Sequence, residues 1–418
     1  MDNLTTNICV VGGGIAGMTV ALEAAETGKN VVLIEREPYL GGRVAAVFHY
    51  FPKLCPPTCG MEINFRRIRQ NPRIQLFTLA EVESISGKDG NYTVKVRQNP
   101  RFVNEKCTAC DECSKACTIE RTDKFNYGLG KTKAIYLPHP MAFPMRYVVD
   151  PAYAKDESMK ACVEACSYDA IDLSMQAETF EVQAGSVVYA TGWKPYDASK
   201  IDNLGYSKYA NVITNVEMER LAAPSGPTEG KIQRPSDSKP PLKVAFAQCA
   251  GSRDENHLPY CSAVCCSASI KQATYLRDSL PDTEIHIFYI DIRTPGRLED
   301  FYVQRQDDEK IHFHRGKLAK VSEKQDTKNL IVEAENTLTG ETTEMEVDLV
   351  VLATGMVPNT ADEPPPLDAG RDECGFLVAS NGSGIIGAGT SVRPFDVASA
   401  VQDATGKALE AICAQARE

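Results

Sequence analysis

Four cysteines in the run Cys107-x2-Cys110-x2-Cys113-x3-Cys117 have the spacing with which one tight loop wraps a [4Fe–4S] cubane. A second, incomplete run follows at Cys162-x3-Cys166, with no thiol in 156–160 where its earlier members would stand. In two-cluster ferredoxins the last cysteine of each run ligates the other cluster. The economical set is therefore Cys107, Cys110, Cys113 and Cys166, with Cys117 and Cys162 left as relics; a local set ending in Cys117 is the alternative. Farther on, Cys249 ends an apolar strand, and Cys261, Cys265 and Cys266 stand at the start of a helix continuing through Ile270, Ala273 and Leu276. With the helix begun by Cys261, that residue and Cys265 share a face one turn apart. Four thiols from one strand–loop–helix unit make a metal set, and spacing by itself leaves zinc and iron–sulfur both open. Cys55-x3-Cys59 falls in a Pro-rich loop without an obvious helix, and its role stays open. Cys9, Cys374 and Cys413 read as small packing or surface residues. His312 and His314, alternating on a strand, are not read as metal ligands.

The second chemistry is phosphate binding. Asn7 to Val11 reads as a short buried strand that runs directly into Gly12-Gly13-Gly14-Ile15-Ala16-Gly17. Helical spacing of Met18, Ala21, Leu22 and Ala25 follows, and Gly28 stops that helix before a second strand at Val31 to Ile34. In this setting Gly12 permits the tight turn, Gly14 lets a pyrophosphate approach the backbone, and Gly17 allows close strand–helix packing. The helix N-terminus at Ile15 and Ala16 supplies amide donors and positive dipole. Glu35 closes the second strand where a carboxylate accepts adenosine ribose hydroxyls. After a linker rich in Pro, Ser and Gly at 222–241, a new strand at 242–247 leads only to Gln248-Cys249-Ala250-Gly251-Ser252-Arg253. A lone glycine cannot give the close approach that a second pyrophosphate needs, so hydride delivery from a nicotinamide is not expected there.

These motifs need a scaffold, and the composition supplies one. The 418 residues allow about two or three domains, and the balance of apolar, charged and Gly/Pro residues excludes disorder, collagen and coiled coil. Fifteen cysteines in a chain of net charge −11, without a secretory leader, point to metal or redox chemistry in a reducing cytosol. Apolar runs such as Val350 to Ala353 fall far short of the roughly 20 residues that span a bilayer. There is no basic stripe for nucleic acid.

The stretch Glu35-Arg36-Glu37-Pro38-Tyr39-Leu40-Gly41-Gly42-Arg43 resembles the flavoprotein disulfide reductase superfamily, in which the Gly-Gly pair faces the flavin side of FAD. Two strand-then-turn segments, ending in Ala190-Thr191-Gly192 and Ala353-Thr354-Gly355, resemble that superfamily's linkers between nucleotide domains. Gly384 to Thr390 resembles its last flavin motif, with Gly389-Thr390 in place of the usual Gly-Asp, so that a hydroxyl replaces the ribityl carboxylate. A C-terminal helix from about Asp396 carries Val397, Val401, Ala404 and Ala408 on one face; its N-terminus could stabilise negative charge on a reduced flavin, and a simple packing helix is the alternative.

A narrower resemblance rests on Cys249 to Asp254, Pro259 to Ser262, Val264 to Cys266, Ile270 to Ala273, Tyr127 to Lys131, Lys133 to Tyr136, and Phe51-Pro52. These strings are similar to the A subunits of heterodisulfide reductases, and the likeness covers nearly the whole chain. It implies an α/β FAD-binding, thioredoxin-reductase-like fold: FAD-binding segments at 1–98 and 346–418, a continuation and linker at 178–238, a ferredoxin-like insert at 99–177, and a degenerate NAD(P)-type domain at 239–345. It implies FAD and two [4Fe–4S] clusters, the second held by Cys249, Cys261, Cys265 and Cys266. On this reading no further C-terminal ferredoxin domain is expected, and the chain is most similar, within the family, to the A subunit of the quinone-interacting membrane-bound oxidoreductase of sulfate reducers. That resemblance implies an oxidoreductase subunit working within a complex, cytoplasmic and peripheral to the inner face of the membrane. Its implied partners are adenylylsulfate reductase, a second flavin/iron–sulfur subunit, and a haem-containing membrane subunit, with electron bifurcation or confurcation left open. A heterodisulfide reductase-type or sulfur-oxidising complex is the alternative within the class, and an autonomous NAD(P)H-dependent disulfide reductase or a zinc-binding sensor lies outside it. No general acid or nucleophile stands out as catalytic.

Overall fold

A computed structural model describes residues 4–88, 90–336, 338–367, 369–378 and 385–414. The chain divides into two compact units, one formed by residues 1–45, 58–193 and 358–418, the other by 46–57 and 194–357.

The first unit is built on strand β1 (Leu4–Val11), helix α1 (Ile15–Glu26) and strand β2 (Val31–Glu35). Every residue of β2 is buried, as expected of a parallel strand covered on both faces. β1 starts three residues before the expected Asn7, because Leu4, Thr5 and Thr6 pair with Val182, Gln183 and Ala184 of the long strand Glu178–Tyr189. Helix α2 (Pro57–Gln70) and strands β3 (Ile74–Thr78), β4 (Ala80–Lys88) and β5 (Asn91–Gln98) follow. The sheet runs β3, β2, β1, Glu178–Tyr189, β5, β4, parallel through β1 and antiparallel beyond the long strand; Ile385–Gly387 adds parallel to that strand's end. α2 places Cys59 in its first turn, which corrects the loop expected there. Pro57 already has the backbone angle of a helix start and lacks only an amide that would be unpaired anyway.

Residues 99–177 carry the short helices α3 (Glu112–Ala116) and α4 (Met159–Glu164) and two small antiparallel strand pairs around Ile135, Val149, Met159 and Cys162. Buried Arg101 fastens this segment to the nucleotide sheet. Its guanidinium donates to Pro38 O, to Thr78 Oγ1 at 3.0 Å, and to the carbonyls of Arg146 and Tyr147 at 3.2 and 3.4 Å. Burial lowers its pKa to about 10, still charged at neutral pH.

In the second unit α5 (Asn215–Ala222), α6 (Cys265–Ser279) and α7 (Leu298–Gln306) accompany an all-parallel sheet ordered Val212–Thr214, Leu349–Thr354, Lys243–Ala250, Glu284–Tyr289, Ile311–Arg315. A three-stranded antiparallel meander, Lys317–Glu323, Leu330–Glu335 and Thr342–Val347, completes it. The last helix, α8 (Val397–Ala414), returns to the first unit and packs on α1. Its buried face is Ala400, Ala404, Ala408 and Ala411, not the expected stripe through Val397 and Val401. Against the Ala- and Gly-rich α1, only small side chains let the two backbones come close.

Replacing Arg101 by Met should leave its carbonyl acceptors unpaired in a dry site, lowering stability by roughly 2–3 kcal/mol. Urea unfolding checks the loss, and limited proteolysis should cut first within 99–177.

Candidate functional site

In the first unit the glycines of 12–17 differ in what they do. Gly12 has φ +105°, and a Cβ there would meet Ala190 O at 2.4 Å; a Cβ on Gly17 would strike Gly12 O at 1.8 Å. Both are demanded by packing. A Cβ on Gly14, by contrast, would meet nothing within 4 Å. Gly14 is the N-cap of α1 and offers no side-chain cap, so the first-turn amides of Ile15, Ala16 and Gly17 have no side-chain oxygen to satisfy them. The Gly41–Gly42 backbone lies against this turn, with Gly41 N donating to Gly13 O at 2.9 Å. The buried Glu35 carboxylate accepts from Gly13 N at 2.6 Å and Glu37 N at 2.7 Å, and burial raises its pKa to about 7. An open approach beside amide donors, with a carboxylate at the end of β2, fits the pyrophosphate and ribose of a dinucleotide.

Other expected residues gather here. Arg43 donates to Trp193 O at 3.2 Å and lies 5.7 Å from the ring centre of Tyr127, which opens the family-like string Tyr127 to Lys131. Ser391 Oγ accepts from Gly192 N at 3.0 Å and lies 3.5 Å from Thr191 Oγ1, while Asn359 Nδ2 donates to Thr191 O at 2.7 Å. Gly389 sits so close to α1 that a Cβ would come within 2.6 Å of Ala16 Cβ. Thr390 follows it, and Asp403 of α8 brings a carboxylate to the same turn, accepting from Gly389 N at 2.7 Å. No linear motif marks Asp403. Arg36 forms an exposed ion pair with Glu363 at 2.5 Å. Gly384 lies outside the described residues.

Also in the first unit, Cys107, Cys110, Cys113 and Cys166 line one cavity, together with Tyr147 and Ile171. Ala109 and Asp111 adopt left-handed backbone (φ +58° and +71°), curling the loop tightly between its cysteines. Tyr147 OH donates to Asp111 Oδ1 at 2.5 Å, and Ala170 N donates to Cys166 Sγ at 3.4 Å. Cys117 is buried elsewhere: its thiol donates to Ile119 O at 3.6 Å and neighbours the fully buried Cys162, whose pKa burial pushes up to about 12.

The second unit assembles the other thiols. Cys249 (φ +57°) ends the strand Lys243–Ala250, and Cys265 and Cys266 are the first two residues of α6. Cys261 lies before the helix, correcting the expected helical pairing with Cys265. Ala263 at φ +62° breaks the helical path, and Ser262 Oγ is occupied by Met356 N at 2.9 Å and Ser252 Oγ at 3.0 Å. Cys265 donates to Thr354 O at 3.7 Å, so Thr354 and Gly355 stand beside these thiols. Burial raises the pKa of Cys249 and Cys265 and takes Cys266 to about 11, and neighbouring sulfurs add to each of these three shifts. Crowded, dry thiols lose protons readily only to a bound cation, which is the chemistry of a metal set. Among the described residues no three Cys, His, Asp or Glu donors converge as a single ion requires. Where a nucleotide would approach Gly251, the Tyr196 ring fills the space, 2.5 Å from a built Cβ.

His286 joins His312 and His314 in a cluster missed by sequence, its Nδ1 lying 2.9 Å from His314 Nε2. The three sit on adjacent strands, a pairing visible only from register.

Residues 7–54 match the family described as FAD dependent oxidoreductase. Methanopyrus kandleri has a CoB–CoM heterodisulfide reductase iron-sulfur A subunit, numbered 2, to which the chain is 39% identical over 99% of its own length. The chain is a homologue of heterodisulfide reductase A subunits. This A-subunit homologue is also 37% identical, over 96% of its length, to the A subunit of the H2:CoB–CoM heterodisulfide, ferredoxin reductase of Methanothermobacter marburgensis. It spans 65% and 63% of the lengths of these two relatives. Its fold is that of thioredoxin reductases. The enzyme of Lactococcus lactis matches with a TM-score of 0.55 at 14% identity, covering 99% of this chain and all of that one. That of T. acidophilum matches at 0.54 and 13%, covering 98% and 97%. The α/β, FAD-binding disulfide reductase fold expected from the sequence is borne out.

Gly14→Ala in this A-subunit homologue should leave the ligand-free fold within about 1 kcal/mol of wild type while weakening FAD binding at least tenfold, read by flavin fluorescence. Gly17→Ala should cost several kcal/mol of stability itself, because the added carbon overlaps a carbonyl. Without ligand, Glu35 keeps its proton from its ordinary 4.5 up to about 7, where the unfolded chain has lost it. Stability should therefore fall by roughly 1–3 kcal/mol as pH rises through that window. Urea midpoints between pH 5 and 8 check this, and Glu35→Gln should flatten the difference.

Proposed function

We propose that this chain is an electron-transfer oxidoreductase subunit holding one FAD and two [4Fe–4S] clusters. The observation that carries this reading is the cavity walled by Cys107, Cys110, Cys113 and Cys166 in the same unit as the glycine turn and Glu35. FAD would lie with its pyrophosphate at Gly12 to Gly17 and its ribose at Glu35, with Gly42, Arg43, Thr191, Gly192, Gly389 and Thr390 toward the flavin. One cluster would take the four thiols of the 99–177 module, which we read as a ferredoxin-like insert. The other would take Cys249, Cys261, Cys265 and Cys266 in a degenerate nucleotide domain. Bound there, flavin exchanges electrons in pairs and each cluster singly, so one chain can join the two regimes.

The protein's own residues supply placement and dryness. Amides at the start of α1 bind phosphate, Glu35 orients the ribose, and Tyr147 and Ile171 add an aromatic and an aliphatic wall to the cavity of the first thiol set. Tyr196 over Gly251 argues against nicotinamide in the second unit, which favours electron supply by partner proteins.

The finer reading rests on the sequence strings Cys249 to Asp254 and Tyr127 to Lys131. They support a complex that links the quinone pool to adenylylsulfate reductase in sulfate respiration. Its other members would be a second flavin/iron–sulfur subunit, together with a haem-containing membrane subunit. Among the described residues no helix is long and apolar enough to cross a membrane, so contact with the membrane would run through that haem-containing partner.

Anaerobic purification should yield about eight irons and eight sulfides per FAD. Cys166→Ala should lose about half of the iron, and Cys117→Ala should keep it. Iron retained in Cys166→Ala would transfer the fourth ligand to Cys117, and zinc in place of iron would defeat the proposal.

A further inference from the structure

Three charged side chains outside the cysteine set converge on the second group of thiols. Arg253 Nη1 lies 2.5 Å from Asp291 Oδ1. Arg293 holds the same carboxylate from the other side, Nε at 3.2 Å from Oδ1 and Nη2 at 3.4 Å from Oδ2. Each guanidinium is also an electrostatic neighbour of a sulfur, Arg253 of Cys249 and Arg293 of Cys261. Asp291 contributes its own carbonyl, which accepts the Cys266 thiol at 3.8 Å. Two cations and one anion thus span three of the four thiols, with a net positive charge facing them. Arg253 is the better shielded, its side chain 23% exposed against 48% for Arg293.

We propose that Arg253 and Arg293, clamped together by Asp291, set the reduction potential of the centre held by Cys249, Cys261, Cys265 and Cys266. This rests on the reading of those thiols as a [4Fe–4S] ligand set. An electron added to such a centre increases its negative charge and gathers on its sulfurs. Positive charge beside the thiolates stabilises that electron-rich form, and net charge and hydrogen bonds around the sulfurs are among the factors that set the potentials of these clusters. The step is a one-electron transfer in which no bond forms or breaks, and the electron comes from the reductant that poises the solution. Asp291 subtracts from the field but fixes the two forks, so both arginines act as tuning residues.

The test uses the full chain, purified anaerobically with its clusters, and begins with iron content. Dithionite titration with mediators, followed by electron paramagnetic resonance, then gives the midpoint of each centre. The signal lost in Cys261→Ser identifies the second centre, and the first centre is the internal control. In Arg253→Gln the second centre should be about tenfold less reduced at a fixed poise, a fall of 59 mV for one electron, with the first centre unmoved. Arg293→Gln should shift the same way by less, because its charge is more exposed to solvent. Arg253→Lys, which keeps the charge and loses the fork, should fall between Arg253→Gln and wild type. An unchanged or raised midpoint in Arg253→Gln with full iron would overturn the proposal. Should that variant fail to assemble its second centre, the sign of the shift in Arg293→Gln decides. A wild type with only about four irons and no second signal would refute the ligand reading itself, before any variant is compared.

Discussion

Thiols crowded out of water can ionise only if positive charge joins them, and both units are arranged around that constraint. In the first, Cys113 is buried beside Cys107 and Cys166, and burial pushes its pKa up to about 12. In the second, Cys265 is fully enclosed and its neighbours are three further sulfurs. Apolar packing at such places favours neutral thiols, which are poor ligands and poor nucleophiles. A bound metal centre reverses the balance by exchanging protons for cationic charge. Cys117 and Cys162 share the apolar core of 99–177 with Cys113, Ile135 and Met159, but they do not line the first cavity.

The loops that carry these thiols are held by polar anchors. Arg101 ties the module to the end of β2 and β3 through main-chain and hydroxyl acceptors, so the Tyr147 segment that walls the first cavity is fixed to the loop following Glu35. In the second unit, Lys271 and Glu219 form a buried ion pair at 2.9 Å, and Gln272, Tyr275 and the amide of Phe48 add hydrogen bonds to the same carboxylate. This network pins residues 46–57 to α6, whose first two residues are Cys265 and Cys266. A buried pair of charges is justified here less by net stability than by the single geometry it enforces.

The two units share a plan: a parallel sheet, a strand-to-helix turn at the functional end, and antiparallel strands to one side. Their turns diverge chemically. Gly14 leaves an open backbone before α1, whereas in the second unit Gly251 is covered by Tyr196 and the turn is lined with sulfur. The same architectural position thus serves phosphate in one unit and thiols in the other.

Local order in the chain carried much of this. The glycine spacing at 12–17, Glu35 at a strand end and the ferredoxin run from Cys107 are decided within a few residues, because turns, caps and tight ligand loops are local structures. Which cysteines stand together was not local. Cys166 and Cys117 are equivalent in spacing arguments, and only the packing of α3 against α4 brings one to the cavity and turns the other toward Ile119. The start of α6 at Cys265 depended on a left-handed Ala263 and on hydrogen bonds from Ser262 to residues far along the chain. Asp403 beside Gly389, His286 beside His314, and the Arg253–Asp291–Arg293 clamp join residues separated by up to 38 positions. The sequence by itself determined the chemistry each loop can offer; the tertiary structure decided which groups share a site, since side chains meet across sheet register and helix packing that no linear motif encodes.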